Sequence, residues 1–394
     1  MTAPQIVVVG GGVAGLGLAL ALARNGWPVT VIERRARVGG IHRGDSLLPK
    51  SVEFLEGWGL REALFAAGAR PIHEIEVHPP GSGHVLRAPL TASDARYPYL
   101  VLPHARLEQV LMERALSTPG VQVIRPASVV DLVRDERGRV TGVEFRRGDG
   151  RGEVAASLVV AADGQQSLVR KRLDIRFDAY RYDHAYLGLE ADRPTGYRDA
   201  MRVHFHPEGG VLLMPHPDRI GVGVLVDADS AHEWLSLDEN ALAERLVRRA
   251  PILRGMRLHL DGAHVYKLTR AHADCYVKDG VALIGDAAHV TNPTAGQGMA
   301  MALTDAGALA QCLGIRNDAI VAEALAAYAR VRARNERLVR RSHQLALAYG
   351  LRGPFWTRAK LVGVALLANP VMRGATRRFV DGFLRTAGTA RSRA

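Results

Sequence analysis

Four short apolar runs, each ending at glycine or an acidic residue, punctuate this chain. Ile6–Val9 is β-branched throughout and runs straight into Gly10-Gly11-Gly12. Val13 to Arg24 continues with leucine and alanine in a pattern suited to a buried helix, and Gly26 follows in the place of a C-terminal cap. Val29–Ile32 is the next β-branched run and ends at Glu33. Strand, helix and strand in this order form a βαβ unit, which implies a parallel sheet. The other two runs lie far downstream: 158–161 leads into Asp163-Gly164, and 281–284 leads into Gly285-Asp286.

Between these runs the texture varies. Segments 50–66 and 107–116 have helical spacing, and 121–124 is extended. Segments 72–77 and 85–88 read as strands of a different sheet, and 129–134 with 140–146 as a hairpin around 135–138. From 182 to 267, alternating runs predict an antiparallel sheet interrupted by a helix over 241–250. After Ala300 the chain reads as almost wholly helical. The expected fold class is α/β: a Rossmann-like nucleotide-binding layer, an inserted mixed or antiparallel sheet for the substrate, and C-terminal helices. The expected boundaries are 1–71, 100–180 and 273–320 for a discontinuous nucleotide domain, 72–99 and 181–272 for the sheet domain, and 321–394 for the helical segment.

Composition narrows this picture. The 394 residues are 47% hydrophobic and 23% charged, an ordinary globular balance with a sizeable core. Cys275 and Cys312 make neither a disulfide framework nor a metal-ligand spacing, so a reducing, cytoplasmic setting is expected and no metal site. The apolar stretch 6–23 has no basic residue before it and is broken by glycines, which argues against a signal peptide or membrane span. Much of the net charge of +12 comes from position 330 onward. Without an interleaved aromatic and basic stripe it reads as a solvated helix face, not a nucleic-acid surface. Segment 355–384 reads as helices packing on the nucleotide domain, with peripheral membrane contact as the alternative.

The glycine turns carry the chemistry. Gly10, Gly12 and Gly15 have the dinucleotide spacing, after a strand and opening a helix. Gly10 permits the tight turn, Gly12 lets backbone approach a pyrophosphate, and Gly15 lets the helix pack close on the strand. The first helical turn, with Val13 and Ala14, presents free N–H groups to an anion. Glu33 at a strand end can accept from ribose hydroxyls, which suits FAD or NAD better than NADP; Arg34 and Arg35 beside it complicate that preference, and Arg34 is counted with the cofactor contacts. Asp163 ends the third run. Gly285-Asp286 ends the fourth and can accept from a ribityl or ribose hydroxyl. Pro293, Gly296, Gln297 and Gly298 then open a helix continuing through Met299. Its positive end can stabilise the negative charge of a reduced flavin ring. Pro293, Gly296 and Gln297 are therefore the candidate catalytic loop.

Together these spacings resemble the class A flavoprotein monooxygenases, the p-hydroxybenzoate hydroxylase family, over nearly the whole chain. The resemblance implies FAD as cofactor, NADH or NADPH as a transient donor, and hydroxylation of an aromatic ring by O₂ through a flavin C4a-hydroperoxide. It places Arg43 in the loop that reaches the flavin side, and Asp163 in a motif serving both FAD and the nicotinamide. Many relatives carry an arginine where His104 stands here, so His104 and Arg106 are both candidates for cofactor contact. Benzoate-type relatives hold the substrate carboxylate with serine and arginine on a central strand. The comparable stretch 211–216 has neither, which argues for an apolar or neutral aromatic, such as a phenol, quinolone or polyketide-like ring. Met214, His204, His206 and His216 form a candidate pocket wall in which a histidine could assist phenol deprotonation. Alternation places His204 and His206 on one face. Two alternatives stay open: a related FAD-dependent epoxidase or oxidoreductase acting on a quinone or polyprenyl substrate, and a flavin-fold protein that sequesters ligand without turnover. A monomer or homodimer is expected.

Overall fold

A computed structural model describes residues 5–39, 44–81, 83–90, 96–293, 296–315 and 322–368. The four apolar runs become neighbouring strands of one sheet. Its order is Val281–Leu283, Leu158–Ala161, Ile6–Val9, Val29–Ile32 and Val121–Ile124, all parallel, with the short antiparallel strand Val277–Lys278 on one edge. The four runs named above are buried along their whole length, which is why their sequences show no alternation. Helices Val13–Arg24, His104–Ser117 and Gln297–Leu313 add inward faces to the same core, and Leu325 and Tyr328 of helix Ala322–Arg332 join it. The start of the C-terminal segment thus packs as part of the nucleotide layer.

The second layer is an eight-stranded sheet built mainly on Phe177–Asp192 and Leu258–Ala273, with Arg219–Asp227, Val211–Pro215, Met201–His204, Glu74–His78 and Leu86–Pro89 following across it. Strict alternation gives it two faces. Leu187, Val211, Leu213, Val222 and Val224 face Trp234 and helix Glu239–Arg249 in a core of their own. Leu212, Met214 and Met201 face the nucleotide layer, sharing a small core with Leu48, Tyr99 and Ala300. Ala300 lies in the first turn of helix Gln297–Leu313, so this front face looks at the loop expected to hold the flavin. The last member of the sheet is His289–Val290, which pairs with His272 and Ala271. The chain just past Gly285-Asp286 therefore forms one edge of the sheet.

Several expectations shift. Segment 50–66 is two helices, Pro49–Gly57 and Arg61–Ala66, because Gly59 turns the backbone at φ +77°. The hairpin over 129–146 gains a third strand, Gly150–Ala155. Of segment 355–384, helix Pro354–Ala368 packs against Leu86–Pro89 of the eight-stranded sheet, and 369–384 lies outside the described residues. No helix among the described residues is long and apolar enough to cross a membrane.

Candidate active site

All four motif positions sit at the carboxyl ends of parallel strands, where open α/β sheets bind ligands. They also touch. A methyl group placed on Gly10 (φ +109°) would lie 2.3 Å from the Ala162 carbonyl oxygen and 3.0 Å from the Asp163 Cα. One on Gly285 (φ +58°) would lie 2.9 Å from the Ala14 methyl. The first turn thus abuts the second motif through Gly10 and the third through Ala14. Gly15 lies under Gly10 so closely that an added Cβ would come 2.0 Å from the Gly10 carbonyl oxygen. Arg170 braces the cluster: its guanidinium donates to the Ala287 and Gln165 carbonyls, each at 2.8 Å. A hollow of about 300 Å³ bordered by Gln5, Thr30 and Gln122 opens at the opposite, amino ends of the strands, away from these motifs.

Glu33 stands at its strand end and is buried, with its carboxylate already engaged. Oε2 accepts the Gly11 N–H at 2.7 Å, and Oε1 accepts the Arg35 N–H at 2.7 Å and its Nε–H at 3.0 Å. Arg35 also donates to both oxygens of Glu108, at 3.1 and 3.2 Å. Burial opposes the charge on Glu108, but His104 and Arg35 outweigh it and hold its carboxyl at about 2. Arg34 is exposed; of the two arginines that follow Glu33, it is Arg35 that engages its carboxylate. His104 opens its helix and reaches Glu108 at 3.5 Å, toward the glycine turn. Arg106 turns away: it donates to the Ala67 carbonyl at 3.1 Å and to Asp218 at 2.6 Å. Of the two candidates, His104 lies toward Glu108 and the Gly12 turn, and Arg106 braces the outer surface. Arg43 and His42 lie outside the described residues.

The histidines expected along one pocket wall separate. His204 lies on the back face of the sheet, stacked on His78 with ring centroids 4.2 Å apart. Burial, with the charges of His78 and Arg202, pushes it down to about 3. His206 falls beyond the strand in a turn, accepting the Glu208 N–H at 3.2 Å. Neither can serve the front face. His216 can, but as a clasp. Its Nδ1 is 3.2 Å from Glu190 and its Nε2 is 3.1 Å from Asp45, two residues past the undescribed Arg43. Burial alone would lower its pKa; hydrogen bonds and charge from the two carboxylates raise it to about 9. The ring lies on Gly221, where an added Cβ would meet it at 2.6 Å. A histidine held charged between two carboxylates is no general base at neutral pH. The remaining front-face wall is Leu212 and Met214, with Tyr186 and Tyr266 stacked 6.1 Å apart.

The polar atoms near the motifs fit a flavin nucleotide. Helices Val13–Arg24 and Gln297–Leu313 begin at Gly12 and Gly296, neither of which supplies a side-chain cap, so first-turn N–H groups stay open for anionic atoms. Gly296 holds the left-handed conformation at φ +60°, and its N–H donates to the Pro293 carbonyl at 2.8 Å. Both amide atoms of buried Gln297 lack a hydrogen-bond partner among the described residues, as do Asp163 Oδ1 and Thr291 Oγ1. The other oxygen of Asp163 accepts the Leu168 N–H at 2.7 Å, and burial raises its pKa. Gathered at the strand ends, these atoms are open to a ligand's own polar groups, although others lie elsewhere in the fold. Asp286 is half-buried in the turn, Gly298 lies against Thr291, and Met299 packs on the main core.

Fold and motifs define an FAD-binding flavoprotein, and comparison with known proteins agrees. The sequence matches the family described as "FAD binding domain" over residues 3–342, and the chain belongs to that family. It is 31% identical over 315 residues to the ubiquinone hydroxylase UbiL of Rhodospirillum rubrum, covering 78% of this chain and 72% of the relative. It is 29% identical over 318 residues to the 3-demethoxyubiquinol 3-hydroxylase of Escherichia coli, covering 78% and 79%. Among solved structures, P. aeruginosa PqsL in complex with 2-aminobenzoylacetate superposes with a TM-score of 0.78 at 28% identity, over 88% of this chain and 96% of that one. The chain is an FAD-dependent monooxygenase of the class A kind.

Proposed function

We propose that this chain hydroxylates a neutral or apolar aromatic ring, phenolic or quinol in character, consuming one O₂ and one NADH or NADPH. Substrate, O₂, NAD(P)H and a proton give hydroxylated substrate, NAD(P)⁺ and water. Bound FAD supplies the redox and oxygen-transfer chemistry; the protein supplies orientation, charge and exclusion of water. Gly12, Val13, Ala14 and Gly15 would take the pyrophosphate, with Glu33 and the Arg35–Glu108 pair about the ribose end. Asp163 and Asp286 would accept from hydroxyl groups of the cofactor. Gly296, Gln297, Gly298 and Met299 would direct N–H groups at the ring.

The observation that carries the substrate class is the occupied cation on the front face. His216, where a substrate carboxylate would look for a partner, already faces Asp45 and Glu190 at 3.1 and 3.2 Å. Arg219, the nearby guanidinium, is paired with Glu190 at 2.8 Å. Beside them stand Leu212 and Met214. An anionic ring would meet two carboxylates and an apolar wall, whereas a neutral ring loses little on entering. Quinol and quinone relatives point the same way. The test is NADH and NADPH oxidation with neutral phenols and quinols against benzoates and 2-aminobenzoylacetate, with product mass measured. Stimulation by neutral rings with a gain of one oxygen is expected. Preference for the carboxylates would overturn the substrate class, and a protein without flavin would overturn the activity.

A further inference from the structure

Asp305 is a lone charge inside an otherwise apolar helix, and its side chain is fully buried. Four groups meet it, three through hydrogen bonds and Arg332 as an ion pair. Oδ2 accepts the Gly285 N–H at 2.8 Å and lies 2.6 Å from His289 Nε2. Oδ1 lies 2.6 Å from Arg332 Nε and accepts from Asn335 Nδ2 at 3.2 Å. The charge is thus engaged on both oxygens, with Arg332 Nε facing Oδ1 as a charge without an aligned hydrogen bond. Two of the groups belong to the Gly285–His289 turn. The other two come from the C-terminal helices: Arg332 closes Ala322–Arg332, and Asn335 opens Asn335–Gly350. One helical turn before Arg332, Tyr328 donates to the Leu283 carbonyl at 2.8 Å, holding the strand that leads into the turn.

We propose that Asp305, Arg332 and Asn335 are positioning residues that set the Gly285-Asp286 turn for the flavin, so that the C-terminal helices govern how tightly FAD is held. None of the three needs to touch the cofactor. The geometry is over-determined on the protein side: the strand end, the turn's first N–H and its closing histidine are each fixed by a different bond to one buried network. Such a network holds one arrangement when complete and loses it when a charged partner is removed, because the remaining charge has no water to turn to.

The experiment compares holoenzyme of the wild type with R332K, R332L and N335A. The readouts are the FAD dissociation constant, from flavin release on dilution, and the visible circular dichroism of the bound flavin. R332L should weaken FAD binding at least tenfold and alter the flavin dichroism. N335A should weaken it at least threefold, and R332K should stay within threefold of the wild type. FAD affinity within twofold and unchanged dichroism in R332L and N335A, with only a lower melting temperature, would overturn the proposal and leave an ordinary buried ion pair. If R332L is insoluble, N335A decides by the same thresholds. The proposal rests on FAD being the cofactor. Its failure looks different from failure of that assignment, in which the wild type itself would carry no flavin.

Discussion

Consider H216Q, which keeps a hydrogen-bonding side chain at the clasp but removes its charge. His216 titrates near 6.5 when unperturbed and is raised to about 9 in the folded chain. At 1.36 kcal/mol per unit, the charged form contributes roughly 3 kcal/mol, an upper figure because the partner carboxylates are partly solvated. The sign follows from the direction of the shift. A group raised on folding contributes fully below its unfolded value of 6.5 and loses that contribution as pH rises through about 9. Glu190 works at the other end: it is held at about 2, chiefly by its hydrogen bond to His216, so its contribution is present above 4.5 and lost as pH falls through about 2. The assay is denaturant unfolding of both proteins between pH 6 and 10. Wild-type stability should fall relative to H216Q by roughly 3 kcal/mol across that window. Lys360, lowered to about 8 by burial, slopes the other way, but it does so in both proteins and cancels in the difference. Parallel curves for the two proteins would refute the clasp.

Other outcomes follow from the same geometry. G15A should cost about 3 kcal/mol or more by overpacking and yield protein without flavin, read as the absorbance ratio of flavin to protein. G296A should cost about 1 kcal/mol for the left-handed backbone and weaken FAD binding about fivefold by titration, with the fold intact by far-ultraviolet circular dichroism. R106A should leave FAD affinity within about twofold, because its partners are Ala67 and the exposed Asp218. L212R places a cation on the front face. KM for a neutral phenol should rise about tenfold while a benzoate begins to stimulate NAD(P)H oxidation.

The parts of this molecule that are written locally could be read locally. The four buried strands are contiguous apolar runs, and each motif follows its strand within a residue or two, so the sheet and the placing of the motifs at its strand ends were both legible. What escaped depends on residues brought together across the chain. Asp45 and Glu190 give no hint that His216 will lie between them. Glu108 is an ordinary helical glutamate until Arg35 arrives. Alternation puts Arg202 and His204 on one face of their strand, but only the antiparallel register with Val211 and Leu213 shows that this is the back face. His206 was assigned to the same face on the assumption that the strand continued to it; the strand ends at His204. The short strands Ser46–Leu47 and Tyr99–Val101 are too brief to show a period. Asp305 left the clearest unused signal: a single carboxylate in an apolar helix has to have a buried partner.

The edge strand His289–Val290 has a mechanical consequence. It is joined by backbone hydrogen bonds to His272 and Ala271, in a strand that continues as far as Leu258 beneath the substrate wall. Along the way that strand carries Tyr266, one of the two stacked tyrosines. The ribbon is not uniform: its pairing with Phe177–Asp192 shifts register at Lys267–Thr269, between Tyr266 and His272. Tyr266 and the ribbon's end beside Gly285-Asp286 therefore lie on opposite sides of that irregularity. In this architecture the front face bearing Tyr266 and the chain just past Gly285-Asp286 are joined through one strand, with that irregularity as its compliant point.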